Sequence, residues 1–221
     1  AMMSAHHAHE YGTSSRALAE IAVTFRRHAL LNPASVMKKA ITVEDHQNSR
    51  FIAEPLRLLD YCLINDGGEG AVLGHADMAR VGPQPPVYVR AVECQTRLTG
   101  STFPPSDYWH ASMQSVARSV YESSGLGPAD MDALMIYDNF SPIVLFALEG
   151  FGYCPRGEAG RWVTEGHLAL GGKYPANTCG GHLSESYMQG WGLVAESVRL
   201  LCGTATEGQV AGARNEQFMC A

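Results

Sequence analysis

The chain has 221 residues, with 22 acidic and 16 basic side chains, and therefore a formal net charge of −6 at pH 7. Charged residues make up 17% and apolar residues 46%, which excludes an intrinsically disordered chain, since such chains combine few apolar residues with high charge. Basic residues form no cluster larger than an adjacent pair, which argues against nucleic-acid binding. No run of 18 apolar residues and no basic leader are present, so we expect a soluble, cytoplasmic protein that does not bind membranes.

The six cysteines indicate free thiols rather than disulfides or a metal site. They are scattered without a C-x-x-C pair, and a chain of this size without a secretory leader favours a reducing compartment. Cys179 and His182 have a spacing found in metal sites, but no second pair completes the four ligands of a structural zinc ion. We therefore predict that the chain binds no metal.

The first predicted elements are a short surface segment and one long helix. Residues 6–9 include three histidines and are predicted to lie at the surface. Thr13 or Ser14 can cap a helix in which apolar residues recur at spacings of three and four. The dipeptide Asn32-Pro33 ends this helix, because the residue before a proline avoids the helical region.

Two strands and a linker follow in the sequence. The apolar run over residues 58–64 predicts a buried strand, and a glycine-containing turn leads into a second strand over residues 71–75. Three prolines within residues 81–86 are typical of a linker. The sequence therefore predicts a domain boundary there, with one unit over residues 1–82 and another over residues 83–221.

The second part of the chain alternates strands with helices. The predicted elements are a strand over residues 87–93, a helix over 108–123, a strand over 133–137, a helix over 142–151, a glycine-rich stretch over 157–181, a helix over 184–201 and a strand from residue 217. This alternation indicates an α/β layered fold in which helices cover both faces of a sheet.

Polar residues are concentrated where the predicted strand over residues 133–137 ends. Ligands of α/β folds bind at this kind of edge, between a strand and the following helix. Asp138 and Ser141 are equally well explained as caps of that helix. Tyr137 cannot cap a helix, so its hydroxyl group requires another role.

A second concentration of polar residues runs from Asn177 to Tyr187. Gly180 and Gly181 precede a helix there, and glycines let the backbone approach a ligand and direct N–H groups at an oxyanion or a phosphate. Taken alone, such a pair is equally typical of an ordinary turn. His182 taken alone is more typical of a hydrogen-bonded structural histidine than of a catalytic residue.

Together these segments resemble the thiolase superfamily, and specifically its sterol-carrier or lipid-transfer thiolase-like branch. The similar segments keep their order and spacing over nearly the whole chain, and they include Tyr11-Gly12-Thr13, Thr42-Val43-Glu44-Asp45, Leu58-Leu59-Asp60-Tyr61-Cys62, Tyr137-Asp138-Asn139-Phe140-Ser141, Leu148 to Cys154 and Asn177 to Tyr187. The resemblance implies a layered αβαβα thiolase fold with two similar halves. It also implies that residues 1–82 are the last part of the first half, and residues 83–221 most of the second half without its final strand.

The departures from the family pattern concern catalytic residues. Related thiolases use a nucleophilic cysteine in their first half, and none of the six cysteines of this chain matches it. Tyr137 and Tyr187 stand at positions where the family has histidines. Paired tyrosines resemble the thiolase-like retro-aldolases of steroid side-chain degradation, so the resemblance implies an acyl-CoA lyase that cleaves a β-hydroxyacyl-CoA.

The resemblance also implies roles for individual residues. Retro-aldol cleavage needs a base for the β-hydroxyl proton, a group that stabilises the thioester enolate, and an acid for the α-carbon. Tyr137 and Tyr187 are the implied catalytic residues, and their order stays open because a tyrosine base requires a lowered pKa. The implied substrate-binding residues are Asp138, Phe140, Asn177, Gly180, Gly181 and His182. No cofactor is implied beyond the coenzyme A thioester of the substrate, and the implied partners are a second copy in a homodimer and a protein with a zinc ribbon and an OB-like fold.

Two other functions fit the same sequence. A thiolase-like acyltransferase, similar to an acetyl-CoA acetyltransferase, would need a nucleophilic cysteine from elsewhere in the protein. A non-catalytic lipid- or acyl-CoA-binding module would bind apolar ligands whether or not the two tyrosines are present. The aldolase is the leading hypothesis.

Overall fold

The computed structural model describes residues 1–80, 82, 84–95, 108–205 and 207–220. Within these residues, the α-helices are α1 Met2–Tyr11, α2 Ser15–Leu31, α3 Val43–Asn48, α4 Tyr108–Ser124, α5 Ser141–Gly150, α6 Ala159–Thr164, α7 Gly181–Ser184 and α8 Trp191–Leu201. The strands are β1 Phe51–Ala53, β2 Leu56–Arg57, β3 Ala133–Ile136 and β4 Glu216–Met219. Strands β1 and β2 form an antiparallel pair, and β3 and β4 form a parallel pair.

Strand β3 has backbone neighbours on both of its edges. It pairs in parallel with β4 over its full length, from Ala133 opposite Glu216 to Ile136 opposite Met219. On its other edge, a single parallel bridge joins Leu134 to Ala176. The carboxyl end of β3 therefore lies between two other chain segments, where the residues that follow it are held on both sides.

Helices cover both faces of β3, because successive side chains of a strand point to opposite faces. Leu134 and Ile136 belong to the larger buried cluster, which also contains Phe146 of α5. Met135 lies on the opposite face, in a smaller cluster with Leu193 of α8. All five side chains are fully buried or nearly so. The predicted α/β layered arrangement is confirmed.

Helix α2 begins and ends at the residues that the sequence indicates. The Ser14 side chain accepts a hydrogen bond from the Ala17 backbone, and Asn32 ends the helix in an extended conformation. Its apolar stripe is buried against α3, α5, α6 and α7, with Phe25 fully buried. This single helix therefore connects the first part of the chain to the elements around β3.

The prediction that residues 6–9 lie at the surface is wrong for His7. This residue is on α1 and only 1% exposed. Its Nε2 lies 3.1 Å from the carboxylate of Glu149 on α5, and its Nδ1 lies 2.8 Å from the Thr13 hydroxyl. A partner this distant in sequence leaves no local pattern from which the burial could be predicted.

The strands predicted over residues 58–64, 71–75 and 87–93 are wrong. Residues 58–60 form one 3-10 turn and residues 76–80 another, and apart from a single bridge at Tyr61 the remaining described residues of this region have no regular structure. Ile64 and Val72 are fully exposed. An apolar run forms a strand only where neighbouring strands cover it, since β propensity largely reflects packing against them.

The helix predicted over residues 184–201 is wrong for residues 185–190, which are not helical. Helix α7 ends at Ser184 and α8 begins at Trp191. Between them Gln189 has a φ of 52° and Gly190 a φ of 88°, and a right-handed helix cannot continue through such values. The interruption places Tyr187 in a turn instead of on a helix.

The remaining predictions concern the later helices and strands, the cysteines and the domain boundary. Helices α4 and α5 and strands β3 and β4 occur within a few residues of their predicted positions, and all six cysteines are free thiols. Val81 and Pro83 of the predicted linker lie outside the described residues, and the boundary between residues 82 and 83 stays a prediction. No helix in the described part of the chain is long and apolar enough to cross a bilayer.

Candidate active site

Two tyrosine hydroxyl groups meet at the carboxyl end of β3. The hydroxyl oxygens of Tyr137 and Tyr187 are 2.7 Å apart, although 50 positions separate the residues in sequence. The Tyr137 backbone N–H donates to the Met219 carbonyl, 2.8 Å away, and so continues the pairing of β3 with β4. The Tyr187 backbone N–H donates to Oδ1 of Asn65 over 2.9 Å. The pair that the sequence predicts to act together therefore lies within hydrogen-bonding distance.

A segment of the first part of the chain lies beside the turn that carries Tyr187. The Leu63 backbone N–H donates to the His182 carbonyl over 3.0 Å, and Asn65 binds the Tyr187 backbone. Gly67 lies directly against Met188, and the space that a side chain would need there is already occupied. This segment thus fixes the backbone of residues 182–188 although it has no regular structure itself.

The His182 ring supports both tyrosine rings. It makes edge-on contacts with Tyr137 and Tyr187, with ring centroids 4.7 and 5.0 Å apart, and it is 1% exposed. Its Nε2 accepts a hydrogen bond from the Gly190 backbone over 3.2 Å, so in the neutral ring the proton sits on Nδ1. Burial lowers the pKa of His182 to about 4. A neutral imidazole is therefore part of the packing that holds the pair.

Asp138 binds the start of α7. Its two carboxylate oxygens accept hydrogen bonds from the His182 and Leu183 backbone N–H groups, over 2.9 and 3.2 Å. Burial raises its pKa to about 7, and these backbone hydrogen bonds oppose that rise. Nδ1 of His182 lies 3.4 Å from the same carboxylate but has no aligned partner. Asp138 therefore joins β3 to α7 through these backbone groups.

Neither of the predicted capping residues caps α5. Asp138 binds α7 instead, and the buried Ser141 hydroxyl has no hydrogen-bond partner among the described residues. Phe140 occupies the N-cap position and supplies no side-chain hydrogen bond. Its ring packs edge-on against Tyr61, with centroids 5.0 Å apart, in an antiparallel bridge between the two residues. Phe140 thus holds Tyr61, in the first part of the chain, against the segment that follows β3.

The other predicted binding residues also have structural contacts. The buried Asn177 amide binds both the backbone N–H and the backbone C=O of Ile136, over 2.7 and 2.8 Å. A Cβ on Gly180 would lie 2.8 Å from the Ala29 Cα, and Gly181 is packed against the Asp138 carboxylate. The glycine pair is therefore needed for close packing, whatever further contact it makes with a substrate.

Sequence reasoning missed Gln189. Its side-chain Oε1 lies 3.4 Å from each of the two tyrosine hydroxyl oxygens, and the residue is exposed. A positive φ at a residue other than glycine is uncommon and is found preferentially at functional sites. No sequence pattern announces this conformation, because glutamine is not a residue that favours it.

The pKa of Tyr137 indicates which role this residue can have in the pair. Burial and the hydrogen bond with Tyr187 raise the pKa of Tyr137 well above its ordinary value. Tyr137 therefore keeps its proton and is suited to donate it within the pair.

In the described residues no group of three or more His, Cys, Asp or Glu side chains could hold a metal ion.

Comparisons with known proteins agree with this architecture. The family model "Thiolase C-terminal domain-like" matches residues 99–216. A "steroid side-chain-cleaving aldolase" of Thermomonospora curvata is 40% identical, over 93% of this chain and 54% of the relative. A "17-hydroxy-3-oxo-4-pregnene-20-carboxyl-CoA lyase" of Mycobacterium tuberculosis is 41% identical, over 96% of this chain and 56% of the relative.

A solved structure, "Ltp2-ChsH2(DUF35) aldolase", superimposes with a TM-score of 0.86 at 36% identity, over 99% of this chain and 58% of that one. The expected layered thiolase-like fold is thereby confirmed. This chain spans about half the length of the curated relatives it matches. By sequence and by structure, it belongs to the thiolase C-terminal domain-like family.

Proposed function

We propose that the full-length protein is an acyl-CoA lyase that cleaves the bond between the α- and β-carbons of a β-hydroxyacyl-CoA with a sterol side chain-like acyl group. The observation that carries this proposal is the 2.7 Å contact between the hydroxyl groups of Tyr137 and Tyr187. The names of the relatives, an aldolase and a lyase, support the same class of reaction. No covalent acyl-enzyme is required, so the reaction does not depend on a cysteine nucleophile.

The proposed roles assign a direction to the hydrogen bond within the pair. The donor is Tyr137, whose raised pKa keeps its proton in place, and the acceptor is the Tyr187 oxygen, which acts as the base in its deprotonated form. Tyr187 then takes the proton of the substrate's β-hydroxyl group. The bond between the two carbons breaks, the β-carbon becomes a ketone, and the electron pair passes to the thioester as an enolate. A proton returned from the pair to the α-carbon completes the shorter acyl-CoA.

The same proposal assigns roles to the residues around the tyrosine pair and includes the substrate's coenzyme A thioester and the protein partners. Asp138, Asn177 and His182 act by positioning the backbone and rings around the pair, and Phe140 holds Tyr61 against the segment that follows β3. The coenzyme A thioester is a substrate, and the proposed reaction needs no other cofactor. The two-component name of the solved relative supports a protein partner. We propose that this partner has a zinc ribbon and an OB-like fold and that the assembly contains a homodimer of the lyase.

The test is ketone release from a β-hydroxyacyl-CoA by the full-length protein with its partner present. We expect Tyr187→Phe to lower turnover by about 10² to 10⁴, the usual contribution of a general acid or base. Tyr137→Phe should have a similar effect, and the double variant should lose less than the product of both, because the two groups serve one step. Tyr88→Phe, at an exposed tyrosine, is the matched control. Unchanged turnover in Tyr187→Phe would refute the proposal.

A further inference from the structure

Gln189 is held in a backbone conformation that brings its side chain to the tyrosine pair. It lies in the turn between α7 and α8, with a φ of 52°, and the next residue, Gly190, has a φ of 88°. Gly190 packs against the Tyr137 ring, where an added Cβ would lie 3.2 Å from ring carbon Cδ2. The Gly190 N–H binds His182. The turn is therefore fixed on both the tyrosine and the histidine side.

The two phenol groups together have two protons, and only one of these is used by the hydrogen bond between them. Each phenol has one proton, and a single proton fills the 2.7 Å contact between the two oxygens. The remaining proton needs an acceptor, and Oε1 of Gln189 lies 3.4 Å from both hydroxyl oxygens. When Tyr137 is the donor within the pair, the remaining proton is that of Tyr187. Gln189 is therefore placed to accept it.

We propose that Gln189 is a positioning residue of the tyrosine pair, whose side-chain carbonyl oxygen accepts the remaining phenol proton and orients Tyr187 before substrate arrives. In this arrangement one lone pair of the Tyr187 oxygen accepts a hydrogen bond from Tyr137, and the second lone pair stays available for the substrate. A β-hydroxyl group can then donate to that lone pair, and its proton moves to Tyr187 after the Tyr187 phenol has released its own proton to the solvent beside the exposed Gln189. This inference rests on the proposed function for the identity of the incoming hydroxyl group.

Without this acceptor, the Tyr187 proton can turn towards the substrate. Tyr187 would then donate to the β-hydroxyl group instead of accepting from it, and the bound substrate would be misoriented for cleavage. Catalysis depends on such prior orientation of the reacting groups. The loss should therefore appear in kcat, while KM changes little, because Gln189 orients a reacting group and is not proposed to bind the substrate.

The first experiment measures the orientation of the phenols directly, without turnover. Full-length protein with tyrosine labelled by ¹³C at Cζ reports hydrogen bonding of each phenol oxygen at neutral pH, and Tyr137→Phe and Tyr187→Phe assign the two resonances. We expect Gln189→Leu to shift both resonances, and Gln114→Leu, at an exposed glutamine of α4, to shift neither. Resonances that stay in place in Gln189→Leu overturn the proposal, whatever the activity.

The second experiment separates the acceptor from the backbone conformation. Gln189→Gly removes the amide but relieves the positive φ, whereas Gln189→Leu removes the amide and keeps that conformation unfavourable. We expect both variants to lower kcat by about fivefold to tenfold, the effect of one lost hydrogen bond, with KM within about twofold. Wild-type kcat in Gln189→Gly overturns the proposal. If the unmodified protein releases no ketone, the proposed function fails, and the resonance shifts alone decide the role of Gln189.

Discussion

The Asn177 side chain binds both backbone groups of Ile136, over 2.7 and 2.8 Å, in the place where a neighbouring strand would bind them. Asn177 itself has a φ of 47°, which asparagine tolerates better than most residues. Its own backbone N–H donates to Leu134, so the residue is paired with β3 through main chain and side chain together. On this edge of β3, the amide of Asn177 therefore holds the strand end that leads into Tyr137, while β4 holds the other edge.

We therefore expect Asn177→Ala to destabilise the protein by about 2 to 4 kcal/mol, because it leaves two buried backbone groups of Ile136 without partners. The measurement is the free energy of unfolding from urea titration. Asn48→Ala, at an exposed residue at the end of α3, should change stability by less than about 0.5 kcal/mol. A loss below about 1 kcal/mol in Asn177→Ala would contradict this account of the strand end.

The glycine at position 180 should tolerate no side chain. Gly180 and Gly212 both have a positive φ, of 111° and 73°, but only at Gly180 would a Cβ meet the backbone of Ala29. Gly212→Ala should cost about 1 kcal/mol for its conformation alone. We expect Gly180→Ala to cost at least about 2 kcal/mol more, since packed backbone cannot move aside. Equal losses in the two variants would show that the close packing on α2 is unimportant.

The imidazole of His182 should stay uncharged at every pH near neutrality. Burial lowers its pKa to about 4, so its ring resonances in an NMR titration should be constant between pH 5.5 and 8. Because the folded-state pKa lies below the unfolded value of about 6.5, this residue reduces stability as the pH falls from about 6.5 towards 4. His182→Asn should weaken that decline. A ring titration with its midpoint near 6.5 would contradict the prediction.

Glu185 should make the protein less stable at alkaline pH. Burial, together with the charges of Glu196 and Glu69, raises its pKa to about 7, while contacts with Cys179 and Arg199 oppose the rise. Because the folded-state pKa exceeds the unfolded value of about 4.3, its contribution is complete below about pH 4 and is lost as the pH rises through about 7. The prediction is a decline in the free energy of unfolding between pH 5.5 and 8.

Glu185→Gln removes the titrating group and should reduce that decline by roughly 1 to 3 kcal/mol. Glu44→Gln, at an exposed residue in the first turn of α3, changes the formal charge equally and should leave the decline unaltered. Parallel stability curves for the unmodified protein and Glu185→Gln would show that Glu185 has no such effect.

Local patterns were sufficient for several elements of this fold. The cap at Ser14, the stop at Asn32-Pro33 and the apolar stripe between them specify α2, because each acts within a few residues of its neighbours. The short apolar run of β3, bounded by polar residues, likewise gives a buried strand. Tyr137 and Tyr187 were identified through a family resemblance, and their contact was a consequence that only the fold could test.

The remaining features depend on partners that are distant in sequence. The Gly180 packing on Ala29, the Asp138 cap on α7 and the buried His7 pair with Glu149 each join residues from different parts of the chain. No periodicity or cap marks such pairs, because their energies arise only when the segments are packed and water is excluded. For the same reason a continuous helical pattern over residues 184–201 concealed the turn at Gln189. The amino-acid pattern determined elements such as α2 and β3, and the family resemblance identified the two tyrosines. Tertiary packing decided how the tyrosines meet and which residues hold them, because those contacts join distant parts of the chain.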